Sequence, residues 1–571
     1  MADKVAEIPA DESAECAPDS IGQPGEKFFC RNACILPLAF ARHGFSLNRV
    51  RMKRFAIINF LLFCVLRLPA DRINQEGRLL GALPVVTNAI LFNTTNADAV
   101  VSAMQIFPVT NPWNECISNR PVLANSAAML TQMMFDFTNG LSPSSSASHL
   151  TLHINFEMNY VLVPDSQVLV SNQFVAYPDD SDLNGGVYPY GLYPIPTNQP
   201  IEEWPLALTA NGTPQTLLQW QTNNDGSDRH SITVQPGNGT LWETWNALLV
   251  GTNWQAGNGA IFNLNTNGLR PDGLTSGDAA GLPMFPALVR YDEAERGMVE
   301  HALRVTVKHS RKAHLYPATH DASVPSTTNT NVPAMGQRLR LKAAFVIPAN
   351  WTKEETALAL ALKKYGALVA DNGSVFGVSV APDDRWPNGE NCFNDLFSVG
   401  ITNFEVIQTT GTNEGPRSPG APVANAGPDQ TVPAGPPVQL QGAVAFSNSP
   451  PVIQWKLYSG PGTVTFANAA LTNTTANFSA PGIYTLELSA DDGVHAVAYD
   501  AVVITVTNAI VVSIARAGSN VNVNWTGGVA PYVVQRAGTL PPSWSNIVTT
   551  SFNSTNLPLT NSSGFFRIRG Q

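Results

Sequence analysis

The chain has 571 residues, a formal net charge of −10 and only 13% charged side chains, together with 43 Gly and 43 Pro. At about 150 residues per domain the length predicts three or four domains, and few charges with many turn-forming residues predict short strands of the mainly β class. The negative charge argues against a nucleic-acid partner, because a phosphate backbone is bound by a basic surface.

The N-terminal region is typical of an exported protein. A basic segment at 52–54 is followed by an apolar stretch at 55–66, which together predict a secretory signal peptide at 52–70. A buried core helix is the alternative interpretation. We expect Met52 to be the initiator, with the polar residues 1–51 disordered or absent from the exported protein. The apolar stretch is too short to cross a bilayer, so the mature chain is predicted to be secreted or at the cell surface, without a stable membrane span.

Cysteine usage predicts neither a metal site nor a disulfide framework. Only Cys116 and Cys392 follow the signal peptide, and they could form one disulfide in an oxidising compartment. Cys30 and Cys34 have no second pair that would complete a zinc site. The sequence also lacks a Gly-rich phosphate loop and the common zinc-hydrolase and serine-hydrolase motifs, so we predict no cofactor and no metal.

Residues 71–407 are predicted to form a large, sandwich-like β domain with one clear helix. Thr352 and Glu355 have the spacing of a capping box, and they precede a helix-forming run at 357–364. Gly366 follows this run and provides a C-terminal stop.

Two segments of this domain, 299–307 and 337–346, alternate as half-buried strands. Their polar faces carry Arg304, Arg338 and Arg340, which would form a basic stripe if the strands were neighbours. An ordinary solvated sheet face is the simpler interpretation.

The candidate functional residues lie mostly at turns, where sites are usually built because strand interiors are occupied by packing. The candidate catalytic residues are Arg229, His230, Asp292, Glu293 and Asp371, and the candidate substrate-binding residues are Arg290, Arg304, His320 and Trp386. Further carboxylates are Glu243 and Asp383. Because Asp292 and Glu293 are adjacent, only one of them could face a cleft from a strand. His301 falls on an apolar strand face and is predicted to be a core residue.

The stretch 104–407 resembles a recurrent domain of exported bacterial and fungal proteins that has no settled activity. The segments that carry the resemblance are Asn111-Pro112-Trp113-Asn114, Tyr193-Pro194-Ile195-Pro196, Asp228-Arg229-His230, Arg290-Tyr291-Asp292-Glu293, His301-Ala302-Leu303-Arg304 and Ala370-Asp371-Asn372-Gly373. The resemblance implies that this stretch is one unit, and it implies no mechanism.

A Gly/Pro/Thr/Ser-rich segment at 408–422 is predicted to be a linker that few contacts cross. After it, residues 423–508 alternate as short strands. Three segments, Ala424-Asn425-Ala426-Gly427-Pro428-Asp429-Gln430-Thr431, Pro481-Gly482-Ile483-Tyr484-Thr485-Leu486 and Ala490-Asp491-Asp492-Gly493, resemble a PKD domain, with Trp455 between them. That family has an immunoglobulin-like sandwich, which implies that Trp455 is a core residue. The strand-rich tail at 509–571 resembles a small fibronectin-type-III-like module.

Three hypotheses for function remain open. The first is a polysaccharide-cleaving enzyme, either a glycoside hydrolase with two opposed carboxyl groups or a lyase with a His base and an Arg for a uronate carboxylate. The second is a non-catalytic module that binds a polysaccharide or cell-surface glycan through aromatic rings, since five tryptophans lie between residues 200 and 255. The third is a surface-structural role. The clustering of Arg, His and carboxylates at turns favours the enzyme.

Overall fold

The computed structural model describes residues 72–140, 147–559 and 564–570. The predicted signal peptide at 52–70 and the segment before it lie outside the described residues. Within the described part of the chain, no helix combines the length and the apolar character needed to cross a membrane.

Five α-helices occur in the described residues, where the sequence predicted one. They are α1 Thr95–Val101, α2 Ser126–Phe135, α3 Leu217–Thr222, α4 Tyr291–Arg296 and α5 Lys353–Lys364. The predicted helix is α5, the longest, and it has the predicted capping box: Glu355 N–H donates to the Thr352 hydroxyl at 3.1 Å, and Thr352 N–H donates to Glu355 Oε2 at 2.9 Å. The other four are short, so each offers little periodicity by which it could be predicted.

The large domain contains seventeen short strands in the described residues. They are β1 Arg72–Ile73, β2 Leu79–Leu80, β3 Ile90–Leu91, β4 Leu152–Phe156, β5 Val161–Leu162, β6 Val170–Phe174, β7 Tyr190–Tyr193, β8 Ser231–Gln235, β9 Thr240–Trp245, β10 Leu248–Val250, β11 Asn253–Ala256, β12 Asn258–Asn263, β13 Leu303–Val307, β14 Arg338–Leu341, β15 Ala367–Asn372, β16 Phe376–Val380 and β17 Phe404–Val406. The principal sheets have the strand orders β12-β9-β8-β5-β3, β10-β11-β6-β7 and β13-β15-β14-β17, and β16 pairs with β4. The fold is mainly β, as predicted.

The arginine faces of β13 and β14 are buried, so the solvated-face interpretation was wrong. The two strands are not neighbours, because β15 lies between them. Arg338 donates to the Pro112 and Tyr365 carbonyls at 2.8 and 2.9 Å, and Arg340 pairs with Glu405 at 2.6 Å. Burial lowers the pKa of Arg338 to about 10. Alternation of apolar and polar residues predicts a solvent-exposed polar face only when no other element packs on that face. Here β14 is contacted by α5 and by the segment that follows the 3-10 turn Pro112–Asn114.

The tryptophans between residues 200 and 255 are mainly packing residues. Trp220, Trp242 and Trp254 are buried in a second core beneath the sheet β10-β11-β6-β7. His301 is buried as predicted. Cys116 is exposed, Cys392 is buried, and both are free thiols.

The last third of the chain forms two immunoglobulin-like β-sandwiches. Their strands are β18 Val423–Asn425, β19 Gln430–Pro433, β20 Val438–Gln441, β21 Ala443–Ala445, β22 Val452–Ser459, β23 Val464–Phe466, β24 Asn473–Phe478, β25 Gly482–Asp491 and β26 Ala498–Thr507, followed by β27 Val511–Ala517, β28 Asn520–Thr526, β29 Tyr532–Ala537, β30 Ser545–Thr550, β31 Ser554–Pro558 and β32 Phe565–Arg569. Trp455 is 1% exposed at the centre of the first sandwich, which confirms its predicted core role.

The segment 408–422 is packed on its neighbours, contrary to the prediction that few contacts cross it. Arg417 forms a buried ion pair with Glu115 at 3.0 Å, and the Thr410 hydroxyl donates to the same carboxylate at 2.8 Å. Ser418, which follows Arg417, contacts His495 Nε2 through its hydroxyl at 2.9 Å. Composition identified the connecting segment, but it could not reveal these long-range partners.

Candidate functional site

The loop segment 277–280, between β12 and α4, brings together four of the residues singled out from the sequence. His230 Nε2 contacts the Gly277 carbonyl at 3.0 Å, and Arg304 Nε donates to Asp278 Oδ2 at 3.0 Å. Ala279 N–H donates to Asp371 Oδ2 at 3.3 Å, while His320 Nδ1 contacts the Ala279 carbonyl at 2.8 Å.

His230 is held as a cation inside this group. Its Nδ1 contacts Glu202 Oε2 at 2.8 Å, so both ring nitrogens face atoms that only accept hydrogen bonds. Burial alone would lower the pKa of His230, but the Glu202 carboxylate outweighs burial and raises the pKa to about 10. In the same way, burial would raise the pKa of Glu202, but His230 outweighs it and lowers the pKa.

A chain of hydrogen bonds leads from the buried interior to Glu157. Arg304, anchored on Asp278, donates through Nη1 to the Ser379 hydroxyl at 2.7 Å. That hydroxyl donates to Glu157 Oε1 at 2.9 Å. We call Glu157, Glu202, His230, Asp278, Arg304 and Ser379 the Glu157 cluster.

Glu157 is the member of this cluster that reaches solvent, with 27% of its side chain exposed. It directly follows β4, whose parallel pairing with β16 sets Asn155 opposite Ser379. Burial raises the pKa of Glu157 to about 7, and the nearby Glu202 charge adds to the rise. Arg304 opposes this effect from 3.9 Å.

Glu157 opens onto a groove of about 530 Å³. A second hollow of about 180 Å³ shares Phe156, Leu206 and Glu390 with it and extends towards residues 382–386. The acidic side chains that line the two are Glu157, Glu203, Asp383, Asp384 and Glu390, and no Lys or Arg is among the lining residues. A volume of this order suits a small ligand or a short length of polymer.

Glu203 is a second carboxylate in the groove, and its backbone contacts that of Glu157. Its backbone N–H donates to the Glu157 carbonyl at 2.8 Å, and it is exposed in the groove. Its φ of +70° is a left-handed conformation that costs a non-glycine residue about 1 kcal/mol or more, and such strain concentrates at functional sites. Burial, and then the charge of Glu202, raises the pKa of Glu203.

Arg290, Asp292 and Glu293 lie in a separate group on α4, not on a strand, and together with Arg296 and His301 they form the Glu293 cluster. Glu293 pairs with Arg290 Nη2 at 2.8 Å and with His301 Nε2 at 3.0 Å. Burial alone would raise the pKa of Glu293, but Arg290 and His301 lower it to about 2. Asp292 pairs with Arg296 at 2.6 Å, although burial still raises its pKa. The adjacent cavity is about 30 Å³, which holds one or two waters and no sugar.

Two other predicted residues are packed in the interior. Arg229 is fully buried and donates to the Ala247 and Trp220 carbonyls at 3.0 and 2.8 Å. Trp386 is 3% exposed, and its indole N–H donates to the Ala381 carbonyl at 2.9 Å. Its ring packs edge-on against Tyr291 and Phe393.

Four members of the Glu157 cluster were not selected from the sequence: Glu157, Glu202, Asp278 and Ser379. No local motif marks any of them as part of a site, because the cluster forms only when segments many residues apart meet. The one available signal was a carboxylate directly after an alternating strand, in the segment 152–157. Glu243, another sequence candidate, is fully buried and accepts the Met284 and Phe285 N–H groups at 2.9 and 2.8 Å. Within the described ranges, no group of three or more His, Cys, Asp or Glu could hold a metal ion.

Comparison with known proteins identifies the first immunoglobulin-like module. Residues 426–506 match a family model of the PKD domain, which confirms the PKD resemblance. No curated protein matches the chain. Among solved structures, the PKD domain of the KIAA 1837 protein is 22% identical, covering 19% of this chain and 100% of that one, with a TM-score of 0.14. The D00-D0 domain of intimin is 12% identical, covering 26% and 96%, with a TM-score of 0.17.

Proposed function

We propose that the large domain hydrolyses glycosidic bonds in an uncharged polysaccharide, with Glu157 as the proton donor. The observation that carries this proposal is a carboxyl group with a pKa of about 7 at the floor of an open groove. A general acid is most effective when its pKa is close to the working pH, because it is then protonated and still acidic enough to transfer its proton.

The environment of Glu157 supports this assignment. His230 lowers the pKa of Glu202. Burial, and then the charge of Glu202, raises the pKa of Glu157, so the two neighbouring carboxyl groups have different pKa values. Ser379 and Arg304 fix the orientation of the Glu157 carboxyl. Glu203 is the candidate for the second carboxylate, which would act as nucleophile or base across the scissile bond.

The charge of the groove supports an uncharged substrate. Three acidic side chains line the groove and two more line the adjoining hollow. A uronate polymer would be repelled, because no Lys or Arg is among the lining residues to neutralise its carboxylates. A lyase would also need a basic His. Both ring nitrogens of His230 face acceptors and its pKa is about 10, so it has no free lone pair with which to take a proton. His230 is therefore disfavoured as the base of a lyase.

We place this activity outside the cell. The predicted signal peptide at 52–70 and the PKD-type module at 426–506 both support export, since PKD and immunoglobulin-like modules are typical of extracellular proteins.

The test is product release by the full chain on neutral and uronic-acid polysaccharides, measured as reducing ends and as absorbance of unsaturated products. We expect reducing ends from a neutral polymer only, and a loss of about 10²–10⁴-fold in Glu157→Gln. The matched control is Glu295→Gln on the exposed side of α4, which should retain full activity.

Equal activity of wild type and Glu157→Gln would refute the assignment of Glu157. Unsaturated products would indicate a lyase instead. Retention on a polymer without any product would favour the non-catalytic binding hypothesis.

A further inference from the structure

The outer face of the sheet β10-β11-β6-β7 differs in composition from the rest of the molecule. Its inner face is buried in the second core through Phe174, Tyr193 and Trp254. Alternation along each strand therefore turns the intervening side chains outward. We call this outward surface the β6 face.

Strand register places the side chains of the β6 face in two rows. One row across the four strands holds Leu248, Gln255, Gln173 and Tyr190, and the next holds Val250, Asn253, Ser171 and Leu192. Gln255 Nε2 donates to Gln173 Oε1 at 3.1 Å, which forms an amide ladder in the middle of the face. None of these eight side chains is charged, although the chain carries a net charge of −10.

Exposed tyrosines border this face at one end. Tyr177, Tyr188 and Tyr190 are 51%, 56% and 42% exposed, and they are three of the four large exposed tyrosines in the described residues. The Tyr177 ring lies 5.9 Å from that of Trp245 and is tilted by 41°. Segments flanking two adjacent strands therefore present several aromatic rings to solvent at one end of the sheet.

We propose that the β6 face binds an uncharged polysaccharide chain, independently of cleavage at the groove. Amide groups both donate and accept hydrogen bonds, as sugar hydroxyls do, and tyrosine rings offer flat apolar area with a polar tip for the C–H faces of sugar rings. The absence of charge on the two rows matches an uncharged polymer and gives nothing to pair with an anionic one.

A second copy of the chain is a poorer occupant of the face. Burying the Gln173 and Gln255 amides against an apolar protein surface would leave their remaining hydrogen-bonding groups without partners, which is costly. A hydrated sugar chain keeps those groups bonded, either directly or through water.

The test is affinity electrophoresis of the full chain in native gels that contain soluble β-glucan, xylan, galactomannan or starch. We expect one of them to retard the wild type, and Tyr188→Ala and Tyr190→Ala each to weaken binding by about tenfold. Phe552→Ala, which removes a still more exposed aromatic ring in the C-terminal module, should migrate as wild type. Glu157→Gln should also be retarded normally, so binding and cleavage fail separately.

Unchanged retardation of both tyrosine variants, or no retardation in any of the four gels, would overturn the proposal. So would a concentration-dependent dimer in sedimentation that Tyr190→Ala dissociates, because the face would then be an interface between copies.

Discussion

The Glu157 cluster and the Glu293 cluster contain the same kinds of side chain in similarly buried settings, yet they differ in how charge is balanced. In the Glu293 cluster, one oxygen of the central carboxylate contacts Arg290 and the other contacts His301, and the pKa of Glu293 falls to about 2. In the Glu157 cluster, the cations are paired with Glu202 and Asp278, and Glu157 is left with a hydroxyl donor and a pKa of about 7.

The two clusters also differ in the volume of the adjacent cavity. About 30 Å³ adjoins the Glu293 cluster, whereas about 530 Å³ adjoins Glu157. A dense group of Arg, His and carboxylate is therefore weak evidence for a site by itself, because structural ion networks have the same composition. A carboxyl group that is incompletely neutralised and faces an open groove is stronger evidence.

The largest expected effect that would sharpen this contrast is on stability. Replacing Glu293 by Gln leaves the buried Arg290 without its counter-charge, which should cost about 3–5 kcal/mol of unfolding free energy. The large domain should then unfold roughly 5 °C lower in differential scanning calorimetry. The neighbouring exposed variant Glu295→Gln serves as control.

Glu157→Gln should melt close to the wild type, because the wild-type carboxyl is already partly protonated. If Glu293→Gln left the melting temperature unchanged while it abolished product release, the roles of the two clusters would have to be exchanged.

The difference between these clusters also shows which features could be predicted from the sequence. The PKD motifs, the α5 capping box and the core position of Trp455 were predictable because each depends on a few residues that are close in sequence. His230, Arg304, Asp371 and His320 were selected as polar residues at turns or strand faces, and they meet at the segment 277–280. Their carboxylate partners were not selected. A shifted pKa is what distinguishes these carboxylates, and it depends on burial and on charges that are distant in the chain.

The next effect concerns pH. A general acid works only while protonated, so kcat/KM on a neutral polysaccharide should fall about tenfold per pH unit above a pH of about 7. It should also fall at acid pH, where the second carboxylate, Glu203, becomes protonated. The pKa of Glu293 lies near 2, so that group can produce no change between pH 5 and 9. The measurement is a pH profile of initial rates for the wild type.

The residual activity of Glu157→Gln provides the control for this profile, since it should lack the alkaline fall. A wild-type rate that instead rose with pH through 7 would assign Glu157 the role of a base.

The smallest expected effect concerns Trp386, which lies between α4 and the smaller hollow. Its ring contacts Tyr291 at the start of α4, and it also borders the smaller hollow beside the groove. Trp386→Phe removes the hydrogen bond to the Ala381 carbonyl and part of the packing against Phe393, which should lower the unfolding free energy by about 1–2 kcal/mol. Because only 3% of Trp386 is exposed, KM should stay within about twofold of the wild-type value. A KM raised tenfold at unchanged stability would mean that the ring contacts substrate, and the groove would then extend to the edge of the Glu293 cluster.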